Sequence, residues 1–400
     1  MTFDWKKALR VVVRSLFFLV FFGGIFLVLF LFGSLGMFPL YITKVIPVVG
    51  VAVVLTLILV NSDHLGAGGK RRVGAACLTV CLGCASYAGY GFYRDSIPRV
   101  DDRSLLLQDY QPFEADTKTV SLEEPATLRF DNAWTLSLDG ATALYPVYAG
   151  FVQAVYPEQK DFYSPFHSPV ECNGTISAYK RLIQGDVDMI FAAAPSKAQL
   201  KAAEEAGVEL HMTPIGREAF VFFVNSKNPV TGLTIEQIQG IYSGTVTNWK
   251  EVGGKNQRIR SFQRAEDSGS QSALQRLMDG LPLMEPEEED RIGGMGGIIR
   301  EVASYRNYKN AIGFSFRYYA TEMVRNGDIR LLALNGVEPT KETIRDGSYP
   351  IASEFYAVTA APAGQPSLEE RNQNAAAFLA WILSSQGQEI VEKTGYVALQ

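Results

Sequence analysis

An α/β domain preceded by three membrane-spanning helices is the fold class this sequence predicts. Three observations predict it. Three uncharged apolar segments occupy the first hundred residues. Strand-like and helix-like patterns alternate from about residue 126 onward. Several of those helices begin at glycine-hydroxyl turns.

The apolar segments run from Ser15 to about Met37, from Val45 to about Val60, and from Val73 to about Tyr93. Each approaches the ~20 residues that cross ~30 Å of hydrocarbon. Lys44 would snorkel at the edge of the short second span. Lys6, Lys7, Arg10 and Arg14 precede the first span, and Lys70, Arg71 and Arg72 lie between the second and third. The positive-inside rule places both clusters in the cytoplasm. The Phe38–Lys44 loop is then outside, as is everything after about Arg94. The expectation is a multi-pass protein of the cell membrane, in contact with the lipid bilayer, with its C-terminal domain extracytoplasmic. A cleaved signal peptide is the alternative for the first segment, but no small-residue cleavage pattern follows it.

Residues 1–93 are therefore assigned to a membrane anchor, 94–125 to a polar stalk and 126–400 to the soluble domain. In that domain, patterning predicts strands at Thr127–Phe130, Thr135–Leu138, Met189–Ala193, Phe220–Asn225, Gly313–Phe316, Ile329–Leu332 and Phe355–Thr359. Helices are predicted at Leu144–Val155, Ser177–Gln184, Lys197–Ala206, Thr234–Ser243, Ser270–Met278, Gly297–Tyr305, Leu368–Ser384 and Gln386–Thr394. Gly293–Gly297 reads as a loop into a helix. Sheets of this kind bind ligands at strand carboxyl ends.

Charge is divided along the chain. Residues 1–100 hold ten Lys/Arg and three Asp/Glu, and residues 101–400 hold 27 and 39. A net acidic domain without a basic stripe argues against nucleic-acid binding. It also means that any bound anion is held by local donors rather than by the overall field. Cys77, Cys81 and Cys84 lie in the third apolar segment and Cys172 stands alone, so no disulfide framework follows. With His64, His167 and His211 as the only histidines, no HExxH, and Cys77, Cys81 and Cys84 inside an apolar segment, neither a metal site nor a cofactor is expected.

The chemistry concentrates in three loops. Arg264 stands four residues before Ser268-Gly269-Ser270, which open an amphipathic helix. Orphan amides at a helix start carry partial positive charge. Gly269 permits close backbone approach, the hydroxyls donate, and Arg264 adds a planar fork suited to an oxyanion. A capped helix with an ion-paired arginine is the simpler alternative for this loop alone. Thr135–Leu144 reads as a strand, a glycine turn and a helix start. Asn173-Gly174-Thr175-Ile176-Ser177 is another glycine-hydroxyl turn, with Lys180 and Arg181 just inside its helix. Three such loops in one α/β module suggest amides converging on one anion.

From Ala126 to Gln400 the chain resembles the PstS-like phosphate-binding proteins of ABC importers. Val224-Asn225-Ser226-Lys227-Asn228-Pro229-Val230, Leu233-Thr234, Gln237-Ile238, Ile241-Tyr242-Ser243-Gly244, Thr247-Asn248-Trp249 and Val252-Gly253-Gly254 follow that family's hinge strand and second-lobe opening. Arg264 through Ser270 matches its Arg-x-x-x-Ser-Gly-Thr/Ser loop. Ala311-Ile312-Gly313-Phe314 is similar to its Ala-Ile-Gly-Tyr strand, and Gln386-Gly387-Gln388 with Gly395-Tyr396 to its closing helix and tail. The resemblance implies a two-lobed type II periplasmic binding protein fold that closes like a hinge. Lobe one would be 126–220 plus 350–400, and lobe two 221–349. The family's ligand loops fall on Thr142, Ala143 and Leu144, on Thr175 with Ser177 nearby, and on Arg264, Ser268, Gly269 and Ser270.

One departure bears on selectivity. Where the family has Ser-Asp-Ala-Pro, this chain has Ala192-Ala193-Ala194-Pro195. The resemblance implies that the missing aspartate would accept the proton of hydrogen phosphate. Its absence predicts poorer discrimination against sulfate, unless Glu171 or Glu218 takes the role; ordinary exposed glutamates are the simpler reading of both.

The function expected is a membrane-anchored extracytoplasmic receptor that captures phosphate or a related oxyanion between two lobes. An ABC permease and ATPase pair would be its partners. The alternative is a membrane-bound sensor or scaffold on the same fold, without transport. No residue is assigned a catalytic role: Ser268 or Ser270 would need a base, and His211, the nearest histidine in sequence, belongs to no triad or nucleophile elbow.

Overall fold

The computed structural model describes residues 5–35, 37–61, 65–96, 99–101, 107–158, 168–286, 291–292, 304–306, 308–323 and 328–399. The chain divides into two units, Met1–Pro98 and Arg99–Gln400.

The first unit is three helices: α1 (Trp5–Ser34), α2 (Leu40–Asn61) and α3 (Ala67–Ser96). All three are long and apolar enough to cross a membrane. At 1.5 Å per residue even α2 extends about 33 Å. Each helix begins before its predicted span, so Lys44 falls inside α2 and Lys70–Arg72 inside the first turns of α3, while α1 ends at Ser34, short of Met37. Small residues let the helices approach. A Cβ on Gly33 would meet Thr43 Oγ1 at 2.6 Å, one on Gly50 the Phe26 ring at 2.7 Å, and one on Gly91 the Tyr41 ring at 2.5 Å. Outward-facing Leu9, Leu16, Val20 and Leu27 leave more than half their surface open, as a lipid-facing stripe requires.

The second unit is built on one long strand, β4 (Val208–Asn225). Its first two thirds pair antiparallel with β13 (Ala352–Pro362). β13 pairs with β3 (Met189–Ala192), which runs parallel to β2 (Leu138–Gly140). The last third of β4 pairs with β10 (Ala311–Phe316) and with β11 (Ile329–Leu331), and β10 pairs in parallel with β6 (Arg260–Ser261). The sheet therefore reads β2-β3-β13-β4-β10-β6, with β4 shared by two layered halves. Three two-stranded pairs complete the set: β1 (Arg99–Asp101) with β9 (Ser304–Arg306), β5 (Gly232–Leu233) with β12 (Ala333–Leu334), and β7 (Gln263–Arg264) with β8 (Arg291–Ile292).

Each half has its own core. Around β2 and β3, α4 (Tyr145–Val155), α11 (Gln373–Ile382) and α12 (Ser385–Thr394) contribute Tyr148, Phe151, Phe378, Trp381 and Ile390. α5 (Gly174–Gln184) covers the opposite face with Ala178, Tyr179 and Leu182, so β3 is buried on both sides and reads as continuous Met-Ile-Phe-Ala. The second core gathers Phe222, Tyr242, Trp249, Leu274 and Phe314 from β4, α7 (Ile235–Ser243), α8 (Gly269–Leu277) and β10. Mixed α/β layering with a strand common to both halves matches the predicted fold class.

Several boundaries differ from expectation, each for a local reason. Thr127–Phe130 is not a strand: the Thr127 amide goes to the Gln386 side chain and the Phe130 amide to the Val155 carbonyl. In Thr135–Leu138 the ladder begins only at Leu138, because Thr135 closes a turn on Asn132 and the Ser137 amide is taken by Asp188. Leu368–Ser384 is two helices, α10 (Leu368–Arg371) and α11, interrupted where Asn372 turns extended and caps Asn374 and Ala375. Most of the helix predicted over Gly297–Tyr305, and the Gly293–Gly297 loop, lie outside the described residues; Ser304 and Tyr305 belong to β9. Within the stretch read as a stalk, Leu107, Tyr110, Phe113, Val120 and Leu122 pack against the first core.

Candidate anion cleft at the strand crossover

Thr142–Leu144 form a single 3-10 turn that leads into α4 from the carboxyl end of β2. Ala143 and Leu144 line a small cavity, and the Ala143 carbonyl accepts a hydrogen bond from the Tyr396 hydroxyl. Thr142 is half-buried beside them but is not among the lining residues.

The second loop is held from behind. The Asp139 carboxylate, wholly buried, accepts from the Gly140 amide at 2.8 Å, the Asn173 amide at 2.8 Å and Arg181 Nη1 at 2.6 Å. Glu171 accepts from both Arg181 terminal nitrogens at 2.9 Å and from Asn173 Nδ2 at 2.7 Å. This cluster fixes Asn173, and Gly174 then turns through φ +81° to start α5. Thr175 thereby reaches the cavity wall, while Ser177, two residues further on, is exposed to solvent. Burial alone would lower the Arg181 pKa, but hydrogen bonds and charge from Glu171 and Asp139 carry it upward on balance. Arg181 is thus a structural cation, and Glu171 is spoken for.

The third loop starts at Arg264, half-buried at the end of β7, whose amide donates to Gln271 Oε1 at 2.9 Å. Ser268 caps α8 by accepting from the Gln271 amide. Gly269 and Ser270 are buried in the first turn. A Cβ on Gly269 would stand 3.4 Å from Thr175 Oγ1 and 3.6 Å from Ala193 Cβ. The start of α8 in one half of the sheet thus lies against the second loop of the other. Asp267, at φ +61°, accepts from Ser196 Oγ at 2.7 Å, and its carbonyl accepts from Gln199 Nε2 at 3.2 Å. Ser196 and Gln199 form the capping box of α6 (Lys197–Glu205), so this is a second tie across the cleft.

The cavity beside the first two loops measures about 20 Å³ and is lined by Ala143, Leu144, Thr175, Ala193, Glu218 and Tyr396, among others; Arg264, Ser268, Gly269 and Ser270 are not among its lining residues. Such a volume holds about one water. A tetrahedral oxyanion needs several times that space, so its entry requires the halves to part.

Glu218 corrects the expectation of an exposed glutamate. It is 4% exposed, sits where β4 passes from one half to the other, and lies opposite Ser353. Its Oε1 accepts from the Ala219 amide at 2.9 Å and its Oε2 from the Tyr318 amide at 3.1 Å. Burial pushes its carboxyl up to about 7, against the pull of those amides and of the Arg317 and Lys341 charges. The sequence carried a signal: Ala219–Val224 is an unbroken apolar run buried on both faces, and a charge abutting such a run is buried with it. Gln271 and the Asp267 tie left no comparable signal. His211 lies seven residues from Glu218 along β4, about 23 Å away at ~3.3 Å per residue, too far to serve as a base at the cleft.

Residues 120–386 match the family model described as a PBP superfamily domain. The chain is 25% identical over 277 residues to the phosphate-binding protein PstS of Borreliella burgdorferi, covering 68% of this chain and 92% of that one. It is 24% identical over 268 residues to PstS of Bacillus subtilis, covering 66% and 80%. Among solved structures, an ABC-type phosphate transport receptor from Vibrio cholerae superposes with a TM-score of 0.43 at 18% identity, over 66% of this chain and 99% of that one. PstS from Borrelia burgdorferi superposes with a TM-score of 0.40 at 21% identity, over 66% and 98%. The chain belongs to the PBP superfamily.

Proposed function

We infer that this PBP-superfamily chain is a membrane-anchored, extracytoplasmic solute-binding protein that captures phosphate or a related oxyanion in the cleft crossed by β4. One observation carries the reading: Ala143, Leu144 and Thr175, from two helix starts, line one cavity, and Gly269, from a third, lies against Thr175 and Ala193 on its wall. Helix starts present unpaired amides, the donors an oxyanion needs. The names of the curated relatives point the same way. Arg264, Ser268 and Ser270 complete the proposed site, and Thr142 flanks it. Ser177, being exposed, is a weaker member. Delivery to an ABC permease and ATPase is the corresponding partner reading. Binding rather than catalysis suits a cleft whose serine hydroxyl at 268 is committed to capping.

Isothermal titration of inorganic phosphate into the full chain in detergent tests this. Saturable one-to-one binding is expected; no heat and no protection from unfolding at millimolar phosphate would refute it. Topology has its own check. Protease added to intact cells whose surface is accessible should release a fragment of roughly 30 kDa, at ~0.11 kDa per residue beyond the last ~20-residue span. Complete protection would refute the outside placement.

A further inference from the structure

We propose that the chain joining the membrane helices to the binding domain is a strap that favours the closed cleft, so that the halves part only as this membrane-proximal chain lets go. It rests on the oxyanion reading only for the ligand that reports it.

Position comes first. Two residues join Ser96, the last of α3, to β1, and β1 pairs with β9, five residues before β10. Further on, Leu107–Tyr110 form a 3-10 turn, and Leu107, Tyr110, Phe113, Val120 and Leu122 pack against the first core. One short stretch thus engages the approach to β10 in the second half and the core of the first.

Attachment to the first half is specific. The Phe113 amide donates to Gln153 Oε1 on α4 at 2.7 Å, with Phe113 at φ +67°, a left-handed conformation that bulky side chains rarely adopt. Such a conformation persists only where its surroundings over-determine it. A Cβ on Gly150 of α4 would stand 3.2 Å from Val120 Cγ2, so glycine there lets the strap lie close. The buried Thr119 hydroxyl donates to the Tyr110 carbonyl at 2.7 Å and closes the segment on itself. α4 is the helix into which the first ligand loop leads.

The other attachment is at the crossover. Tyr110 is a hydrogen-bond partner of the Tyr318 side chain. Tyr318 follows β10, and its amide donates to Glu218 Oε2 at 3.1 Å. Its ring lies 4.4 Å from that of Tyr396, whose hydroxyl donates to the Ala143 carbonyl in the first ligand loop. Parting of the halves draws Tyr318 away from Tyr396 and α4, and a segment fastened to both must release one of them. By reciprocity, whatever loosens the strap loosens the closed cleft.

The test is peptide-resolved hydrogen exchange on the full chain in detergent, with and without saturating inorganic phosphate. In the wild type, phosphate should slow exchange over Leu107–Thr119 about fivefold more than over α7, a helix of the second core that reports general stabilisation by a ligand. Tyr110→Phe keeps the ring and removes the hydroxyl. It should abolish that excess and weaken phosphate binding about fivefold by calorimetry. Without phosphate it should speed exchange about fivefold in the peptide holding Ala219, which Tyr110 reaches through Tyr318 and Glu218. Equal slowing of strap and α7 in the wild type overturns the proposal, and so does unchanged exchange at Ala219 in Tyr110→Phe. Phosphate that alters exchange nowhere refutes the oxyanion reading, and the ligand-free comparison at Ala219 then decides the strap alone.

Discussion

Two acidic groups lie near the cleft, and their surroundings differ. At the second loop, Asp139 and Glu171 share the guanidinium of Arg181, and the Arg181 pKa rises in response. At the strand crossover, Glu218 is as deeply buried as Asp139 but meets only backbone amides at hydrogen-bond distance, with Arg317 and Lys341 acting through space. A carboxylate paired with arginine is a fixed charge that shapes a loop. A carboxyl held by amides alone lies near 7, where a proton is readily exchanged. The first builds the site, and the second is free to answer what enters it.

The largest expected effect would break the first half of this contrast. Arg181→Ala leaves the buried Asp139 carboxylate without its guanidinium partner, which costs about 3–5 kcal/mol. For a domain of this size that is a fall of about 10 °C in melting temperature. A change under about 2 °C in a thermal melt would mean that Asp139 is not the buried anion described. Next is Glu218 itself. An acid whose folded pKa is raised holds its proton more tightly when folded. Its contribution to stability is therefore complete below the ordinary value of 4.5 and is lost as pH climbs through about 7. The loss is about 3 kcal/mol across that window. Melts from pH 4.5 to 8 should show wild type losing ground to Glu218→Gln as pH rises, and parallel curves would remove the distinction between the two acids.

Arg264→Ala separates ligand binding from loop architecture. Charge-assisted hydrogen bonds contribute roughly 1.5–3 kcal/mol, and a buried bidentate pair somewhat more, so phosphate affinity should fall about tenfold to several hundredfold with the fold retained. Calorimetry showing full affinity would move the site away from this loop. The smallest effect belongs to the tie across the cleft. Ser196→Ala removes one donor to the Asp267 carboxylate, a net contribution of about 1 kcal/mol, and should weaken phosphate binding about fivefold by easing the halves apart. Unchanged affinity would show that closure draws nothing from this contact.

Local patterning revealed the helix starts because their signals are local. Gly174 and Gly269 sit where a chain must turn or approach another closely, and Thr234, Ser196 and Ser268 cap the helices they precede. The apolar run of β3 was equally plain. The first half of β4 was not: Val208-Glu209-Leu210-His211-Met212 mixes charge with apolar residues, and only its pairing with β13 makes it strand. Arg181 illustrates a deeper difficulty. In sequence it is one basic residue inside a helix near a glycine turn, which suggests a ligand contact. Its real partners, Asp139 and Glu171, are 42 and 10 residues away, and only the fold shows that they claim it. Glu218 differs: the apolar run after it hinted at burial, and only its partner Tyr318, about a hundred residues distant, was beyond local reading.

The two amides that meet on Glu218 also provide a clock. Ala219 belongs to the strand common to both halves and Tyr318 to the turn that follows β10, so one carboxyl ties two distant points of the chain. Neither amide exchanges its hydrogen for solvent deuterium until that carboxyl lets go. Their exchange rates therefore time the parting of the crossover in the unlabelled protein, and an occupant of the cleft would be registered as the interval by which both are slowed together.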